Sequence, residues 1–263
     1  MIIRQISLPK AEVRANPSLK FELTNELLFG EKIKIQRDIG DWVLCSATHD
    51  NYLGWIEKKG LTNVLETNHR VISLRSFVYE KDDIKANTIF HLSLGSKINI
   101  ISKKEIWSKI KFINNNEVRI GYIPSKDIIE TNKTITNWVD TAEKFINTPY
   151  KWGGRDSQGI DCSALIQLSL ETAGLNFPRD TIDQHRKIEI VNNDIKDRGS
   201  LIYWDGHVGV MTNKNKILHA NAFHMTVIKE PLIDVIKRSE KEGKKILKVV
   251  KLGRKELLNK LKD

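Results

Sequence analysis

The stretch GIDCSALIQ sets one thiol, Cys162, between Asp161 and Ser163 and directly ahead of an apolar run. The glycine-rich YKWGG precedes it. A thiol attacks a carbonyl as the thiolate, and a free thiol with a pKa of about 8.5 is mostly protonated at neutral pH. A helix N-terminus offers unpaired N–H groups and partial positive charge to an anion there. Glycines let the backbone fold tightly against that helix start and leave the sulfur open. Cys162 is therefore expected at the first turn of a helix, held as an anion. Taken alone, the same features also fit a buried cysteine on a helix's core face.

A nucleophilic thiol needs a base. Of the seven histidines, His49, His69 and His91 lie in the first half without a motif and read as surface or turn residues, and His185 and His224 read as loop residues. GHVGVMTNKNKILHA differs. It puts His207 at the start of one strand and His219 in the next, joined by Asn213-Lys214-Asn215. That is a hairpin pattern, and it can bring both imidazoles to one face so that one orients the other. Either histidine alone fits an ordinary strand residue with satisfied hydrogen bonds. The helix-start cysteine with two hairpin histidines downstream points to nucleophilic catalysis.

The elements that must hold these groups follow from periodicity. Trp138, Val139, Ala142, Phe145 and Ile146 share one helical face, and Pro149 ends that helix. A second helix carries Ala164, Leu165, Leu168 and Ala173, with Asp161 as N-cap and Gly174 as its stop. Strands are expected at 201–204, 207–212, 216–220, 225–229 and 246–252, which makes this half α+β. The end, RKELLNKLKD, reads as a short basic amphipathic helix.

The first half repeats itself. Gly30 and Gly95 each follow a leucine and two further residues and precede x-Lys-Ile-x-Ile; Trp42 and Trp107 come twelve residues later. Gly54-Trp55-Ile56 and Gly121-Tyr122-Ile123 close the copies, which are offset by about 65 residues. The strict alternation of Lys32–Ile35 and Lys97–Ile100 is that of half-buried strands. Two small barrels in tandem are expected, with Cys45 as a core residue in a strand.

Bulk properties exclude other classes. The 263 residues are 40% hydrophobic, enough for a large domain or several small ones. Two cysteines so far apart argue against a disulfide framework or a cysteine-ligated zinc site, and the histidine pair lacks a further ligand at metal spacing. The net charge of +10 favours anionic partners weakly. No basic stripe with aromatics inside a known motif supports nucleic-acid binding. No apolar run matches a signal peptide or membrane span, so a cytoplasmic protein is expected.

PYKWGG, GIDCSALIQ, LNFPRDTIDQH, GSLIYWDGHVGV and KILHA together resemble the NlpC-type cell-wall cysteine peptidases, a papain-like family also called NlpC and p-sixty. Ala164 stands where the family usually has glycine, and Gly199-Ser200-Leu201 replaces the usual Pro-Gly-Asp-Leu. The first half is similar to bacterial SH3-like barrels. The implied fold is multi-domain: two all-β SH3-like barrels at residues 1–66 and 67–131, then an α+β papain-like peptidase domain at 132–263. The resemblance implies Cys162 as nucleophile, His207 as base, His219 as its orienter, and Tyr150 with the Cys162 N–H at the oxyanion. It offers Asp161, Ser163, Trp152 and Tyr52 as substrate contacts, Tyr52 from a first-barrel turn that narrows the cleft. It implies no cofactor and no metal. The implied substrate is the peptidoglycan stem peptide, cut between D-glutamate and a diamino acid such as diaminopimelate, on muropeptides with a free L-Ala end, as in murein recycling. An exported wall hydrolase or amidase whose barrels bind wall polymer, a non-catalytic wall-binding protein and a secreted toxin are the alternatives.

Overall fold

The computed structural model describes residues 2–115, 117–188 and 197–252. The chain divides into two compact units, Met1–Lys133 with Arg155–Ser157, and Thr134–Gly154 with Gln158–Asp263.

In the first unit each sequence copy forms a seven-stranded antiparallel sheet. The first comprises β1 (Ile2–Ile6), β2 (Lys10–Arg14), β3 (Leu23–Leu28), β4 (Lys32–Ile39), β5 (Trp42–Ala47), β6 (Leu53–Glu57) and β7 (Leu61–Thr62), in the order β3-β2-β6-β5-β4-β1-β7. The second comprises β8 (His69–Val71), β9 (Arg75–Tyr79), β10 (Thr88–Ser93), β11 (Lys97–Lys103), β12 (Trp107–Asn114), β13 (Glu117–Pro124) and β14 (Ile128–Glu130), in the order β10-β9-β13-β12-β11-β8-β14. Each strand of one sheet thus has its counterpart at the same position in the other. Even the irregularity repeats: the β4–β5 register shifts between Ile35 and Arg37, the β11–β12 register between Ile100 and Ser102. The repeated glycines explain part of this, since Gly30 and Gly95 turn the chain ahead of the alternating strands at φ +80° and +94°, which side-chain-bearing residues rarely adopt.

Ile6, Val13, Leu27, Ile33, Val43 and Ile56 build the first core, with Cys45 among them as expected. Val78, Leu92, Ile98, Ile110, Phe112 and Ile123 build the second. The unit also buries charge. Arg155, fully buried, donates through Nη1 to both oxygens of Glu31 at 3.0 Å. His49 Nε2 lies 3.4 Å from Arg155 Nη2 and 3.8 Å from Glu31. His49 is therefore not the surface residue expected; Arg155, 106 residues away, joins Glu31 and the adjacent Asp50 around it. His69 and His91 stand in β8 and β10 rather than in turns.

The second unit contains α1 (Trp138–Glu143), α2 (Cys162–Thr172), α3 (Thr181–Lys187) and α4 (Leu232–Lys241). Short strands β15 (Arg155–Asp156) and β16 (Gly159–Ile160) interrupt the glycine loop, β15 falling in the first unit. The main sheet has β17 (Ser200–Trp204), β18 (His207–Met211), β19 (Lys216–Asn221), β20 (Thr226–Pro231) and β21 (Lys248–Lys251), in the order β20-β19-β18-β17-β21. The five expected strands are all present. α1 ends earlier than its apolar face suggests; Phe145 is still buried, but from turns that lead to Asn147 at φ +68°. α3 and α4 were not expected, and His185 belongs to α3 rather than to a loop. The basic helix expected near the C-terminus lies outside the described residues. Among the described residues no helix is long and apolar enough to cross a membrane.

Candidate active site

Cys162 is the first residue of α2. Asp161 caps the helix in extended conformation, and its Oδ1 accepts from the Ala164 N–H at 2.9 Å. Arg179 grips the same carboxylate with both nitrogens, Nη1 to Oδ1 at 2.9 Å and Nη2 to Oδ2 at 2.6 Å. The Gly153 N–H reaches Oδ2 at 3.1 Å and ties the glycine loop to the cap. Ser163 Oγ donates to Asp161 and accepts from Arg179 Nη1 at 2.8 Å. Asp161 and Ser163 were expected as substrate contacts. Their side chains are buried and committed to this web, which fixes the backbone around the thiol.

The sulfur lies against the turn that carries His207. Gly206 O is 4.0 Å from Sγ, Thr181 Oγ1 is 3.8 Å away, and the Val208 N–H is directed at the sulfur. On the hairpin, His207 Nε2 and His219 Nδ1 share a hydrogen bond of 2.8 Å. The two imidazoles expected to meet across β18 and β19 do meet. His219 Nε2 continues to Glu230 Oε1 on β20 at 2.8 Å, with Asn221 Nδ2 3.0 Å away. Gly209 gives the imidazole its room: a Cβ there would stand 2.6 Å from Ile217 Cδ1 and 3.2 Å from His219 Cβ.

A cleft of about 350 Å³ opens over this pair, lined by Tyr150, Trp152, Trp204, His207, His219 and Phe223 among others, all from the second unit. Trp152 is 61% exposed and presents its ring to the cleft. Tyr52 belongs to the first unit, where its ring packs on the first core and its hydroxyl donates to Thr24 O at 3.3 Å. That is a packing role within its own sheet.

Residues 147–239 match the model of the NlpC/P60 family, and residues 13–61 that of the bacterial dipeptidyl-peptidase Sh3 domain. The chain carries an NlpC/P60 domain. Over 233 residues it is 26% identical to dipeptidyl-peptidase 6 of Lysinibacillus sphaericus, covering 80% of this chain and 84% of that protein. It is 25% identical over 220 residues to the gamma-D-glutamyl-L-lysine dipeptidyl-peptidase of Bacillus subtilis, covering 75% and 72%. The fold is shared with the crystal structure of an NlpC/P60 family protein from Bacillus cereus, at a TM-score of 0.76 and 19% identity, covering 88% of this chain and 94% of that one. The chain thus joins an NlpC/P60 domain to a mostly β N-terminal region.

The electrostatics of the NlpC/P60 domain correct one expectation. The thiol is not held as an anion at rest: burial, with the nearby Asp161 charge second, pushes Cys162 up to about 11. The Val208 N–H, Thr181 and Arg179 oppose that shift without cancelling it. The helix start cannot act alone because its cap already places a negative charge beside the sulfur. Burial likewise pushes His207 down to about 3, helped by the His219 ring, and lowers His219 against the pull of Glu230. The resting pair is thus neutral thiol and neutral imidazole. Tyr150 keeps its phenolic proton, raised first by burial and then by Cys162 and Asp161, and remains a donor. Sequence reasoning assigned no role to Arg179, Thr181, Asn221, Glu230 or Arg238. Arg179 and Thr181 stand in the LNFPRDTIDQH segment, whose fit to the family pattern was their signal.

Proposed function

We propose that this chain is a cysteine peptidase that hydrolyses the γ-D-glutamyl–diamino acid bond of peptidoglycan stem peptides. The observation that carries this is the thiol at the head of α2, set against the strand that bears His207, with His207 bonded to His219 at 2.8 Å. Because thiol and imidazole are both neutral at rest, the proton leaves Cys162 for His207 as the sulfur closes on the scissile carbonyl. The oxyanion that forms is met by the Tyr150 hydroxyl and the Cys162 N–H. Collapse breaks the C–N bond, and the imidazolium gives its proton to the departing amine of the diamino acid. The acyl group remains on sulfur as a thioester. Water then loses a proton to His207, attacks the thioester and releases the carboxylic acid and the thiol. His219 keeps the His207 ring in place throughout.

Trp152 in the cleft offers an apolar wall to the substrate. The two sheets of the first unit are both read as SH3-like barrels, with domain limits at 1–66, 67–131 and 132–263. The substrate end is an unblocked L-Ala-γ-D-Glu, a reading supported by the dipeptidyl-peptidase names of the similar proteins. Recycling of released stem peptides in the cytoplasm is the process that this end requirement fits. Mass spectrometry of defined muropeptides, digested by the wild type and by Cys162→Ala, tests bond and nucleophile together. Release of dipeptide from free tripeptide, lost in the variant, is expected; faster release from intact sacculi overturns the recycling reading.

A further inference from the structure

We propose that Glu230 is a positioning residue that sets the order of protons along the His219–His207 pair, an inference that rests on the reading of Cys162 as nucleophile and His207 as base. Glu230 sits at the end of β20, and its carboxylate is gripped by α4. Arg238 donates through Nη2 to Oε1 at 2.6 Å and through Nη1 to Oε2 at 3.2 Å, while its guanidinium lies 4.4 Å from the Phe223 ring centroid. His224 Nε2 stands 3.4 Å from the same Oε1. A carboxylate held this way is ionised, and an ionised carboxylate only accepts.

The consequence runs along the chain of bonds. His219 must carry its proton on Nε2 to donate to Glu230 Oε1 at 2.8 Å. Its Nδ1 is then bare and accepts the Nε2–H of His207 at 2.8 Å. That leaves Nδ1 of His207 bare, and a bare nitrogen is what a base needs.

Asn221 pulls the other way. Its Oδ1 accepts the His224 N–H at 2.8 Å, which turns its NH₂ group toward His219 Nε2 at 3.0 Å. An NH₂ group only donates. Acting alone, it would keep Nε2 of His219 bare and move the proton to Nδ1. His219 would then donate to His207 Nε2, and His207 would hold its proton on Nδ1, with no base left. The charge on Glu230 decides between these two orders.

The test labels the histidines with ¹⁵N and reads the ring protons by NMR, beside turnover of free L-Ala-γ-D-Glu-diamino acid tripeptide. In the wild type His219 and His207 are both expected protonated at Nε2. Glu230→Ala should invert both rings and lower kcat at least ~10-fold with KM little changed, by the logic that a wrong tautomer costs a serine-protease triad ~10⁴-fold. Asn221→Asp added to Glu230→Ala supplies an acceptor to the same nitrogen and should restore both ring order and kcat. A purely structural role for Glu230 would not give that rescue. Glu230→Gln keeps the side chain's shape, should fold if the alanine variant does not, and should fall between the two. Ring protons that stay in place in both Glu230 variants, or a rescue that fails in a folded double variant, overturn the inference. A wild type with the stated proton order but no tripeptide turnover would sink the substrate reading and leave this one standing.

Discussion

In the first unit Arg155 meets both oxygens of Glu31 at 3.0 Å, and Asp127 accepts from Ser73 and Ser76 at 2.5 and 2.6 Å. Each buried charge there ends on partners that complete it. In the second unit the polar line from Arg238 through Glu230 and His219 ends at His207, in the turn against which a buried, neutral thiol lies. The difference separates a network that fixes shape from one that can move a proton. The two cysteines make the same point. Cys45 and Cys162 are both buried, and burial pushes Cys45 up to about 12 and Cys162 up to about 11. Cys162, unlike Cys45, lies against the turn that carries His207, with the Val208 N–H and the Thr181 hydroxyl at its sulfur.

Breaking the open network should give the largest effect. Cys162→Ala is expected to lower peptide hydrolysis by about 10⁴-fold or more, as loss of a nucleophile does elsewhere, while the urea midpoint stays close to wild type. Cys45→Ala should leave hydrolysis within about 2-fold, since that thiol touches no reacting atom. Equal losses in both would erase the contrast.

Breaking the closed network should cost stability instead. Arg155→Met strands Glu31 as a buried charge, and urea unfolding should show a loss of about 3–5 kcal/mol. An unchanged midpoint would mean that the pair contributes nothing. The pH dependence of thiol alkylation sharpens the comparison next. A thiol whose pKa is raised is protonated below that value, so Cys162 should react with iodoacetamide about tenfold faster per pH unit from pH 7 to 10, following its thiolate fraction. A plateau already reached near pH 5 would show a resting thiolate–imidazolium pair and overturn the neutral assignment. The smallest effect is expected from Cys45→Ser, which buries a hydroxyl in the first core where the thiol donates to Gly54 O at 3.7 Å. A loss of about 1–3 kcal/mol by thermal or urea unfolding is expected, with hydrolysis unchanged.

The parts of the site that were legible in the sequence are those fixed by short range. Asp161, Cys162 and Gly174 mark a helix start and stop through local backbone needs, and the His207–His219 hairpin follows from strand period and turn length. The repeat was legible because Gly30 and Gly95 serve the same turn and the alternating strands behind them keep the same period. What stayed hidden depends on long-range partners. Glu230 in the stretch IKEP looks like a solvated strand charge, and only the β19–β20 pairing brings it to His219. His49 has no local motif, since its cluster is completed by Arg155 from far along the chain. The resting charge state was misjudged for a related reason: a helix start was weighed without the acidic cap and the burial that accompany it.

The absent side chain at Gly209 carries a last consequence. One added carbon there would press on the side chains of Ile217 and His219 without replacing any titratable residue of the site. A relative could therefore lose its chemistry with Cys162, His207, His219 and Glu230 all intact. In this lineage activity has to be judged from the empty space beside the second imidazole as well as from the reactive groups.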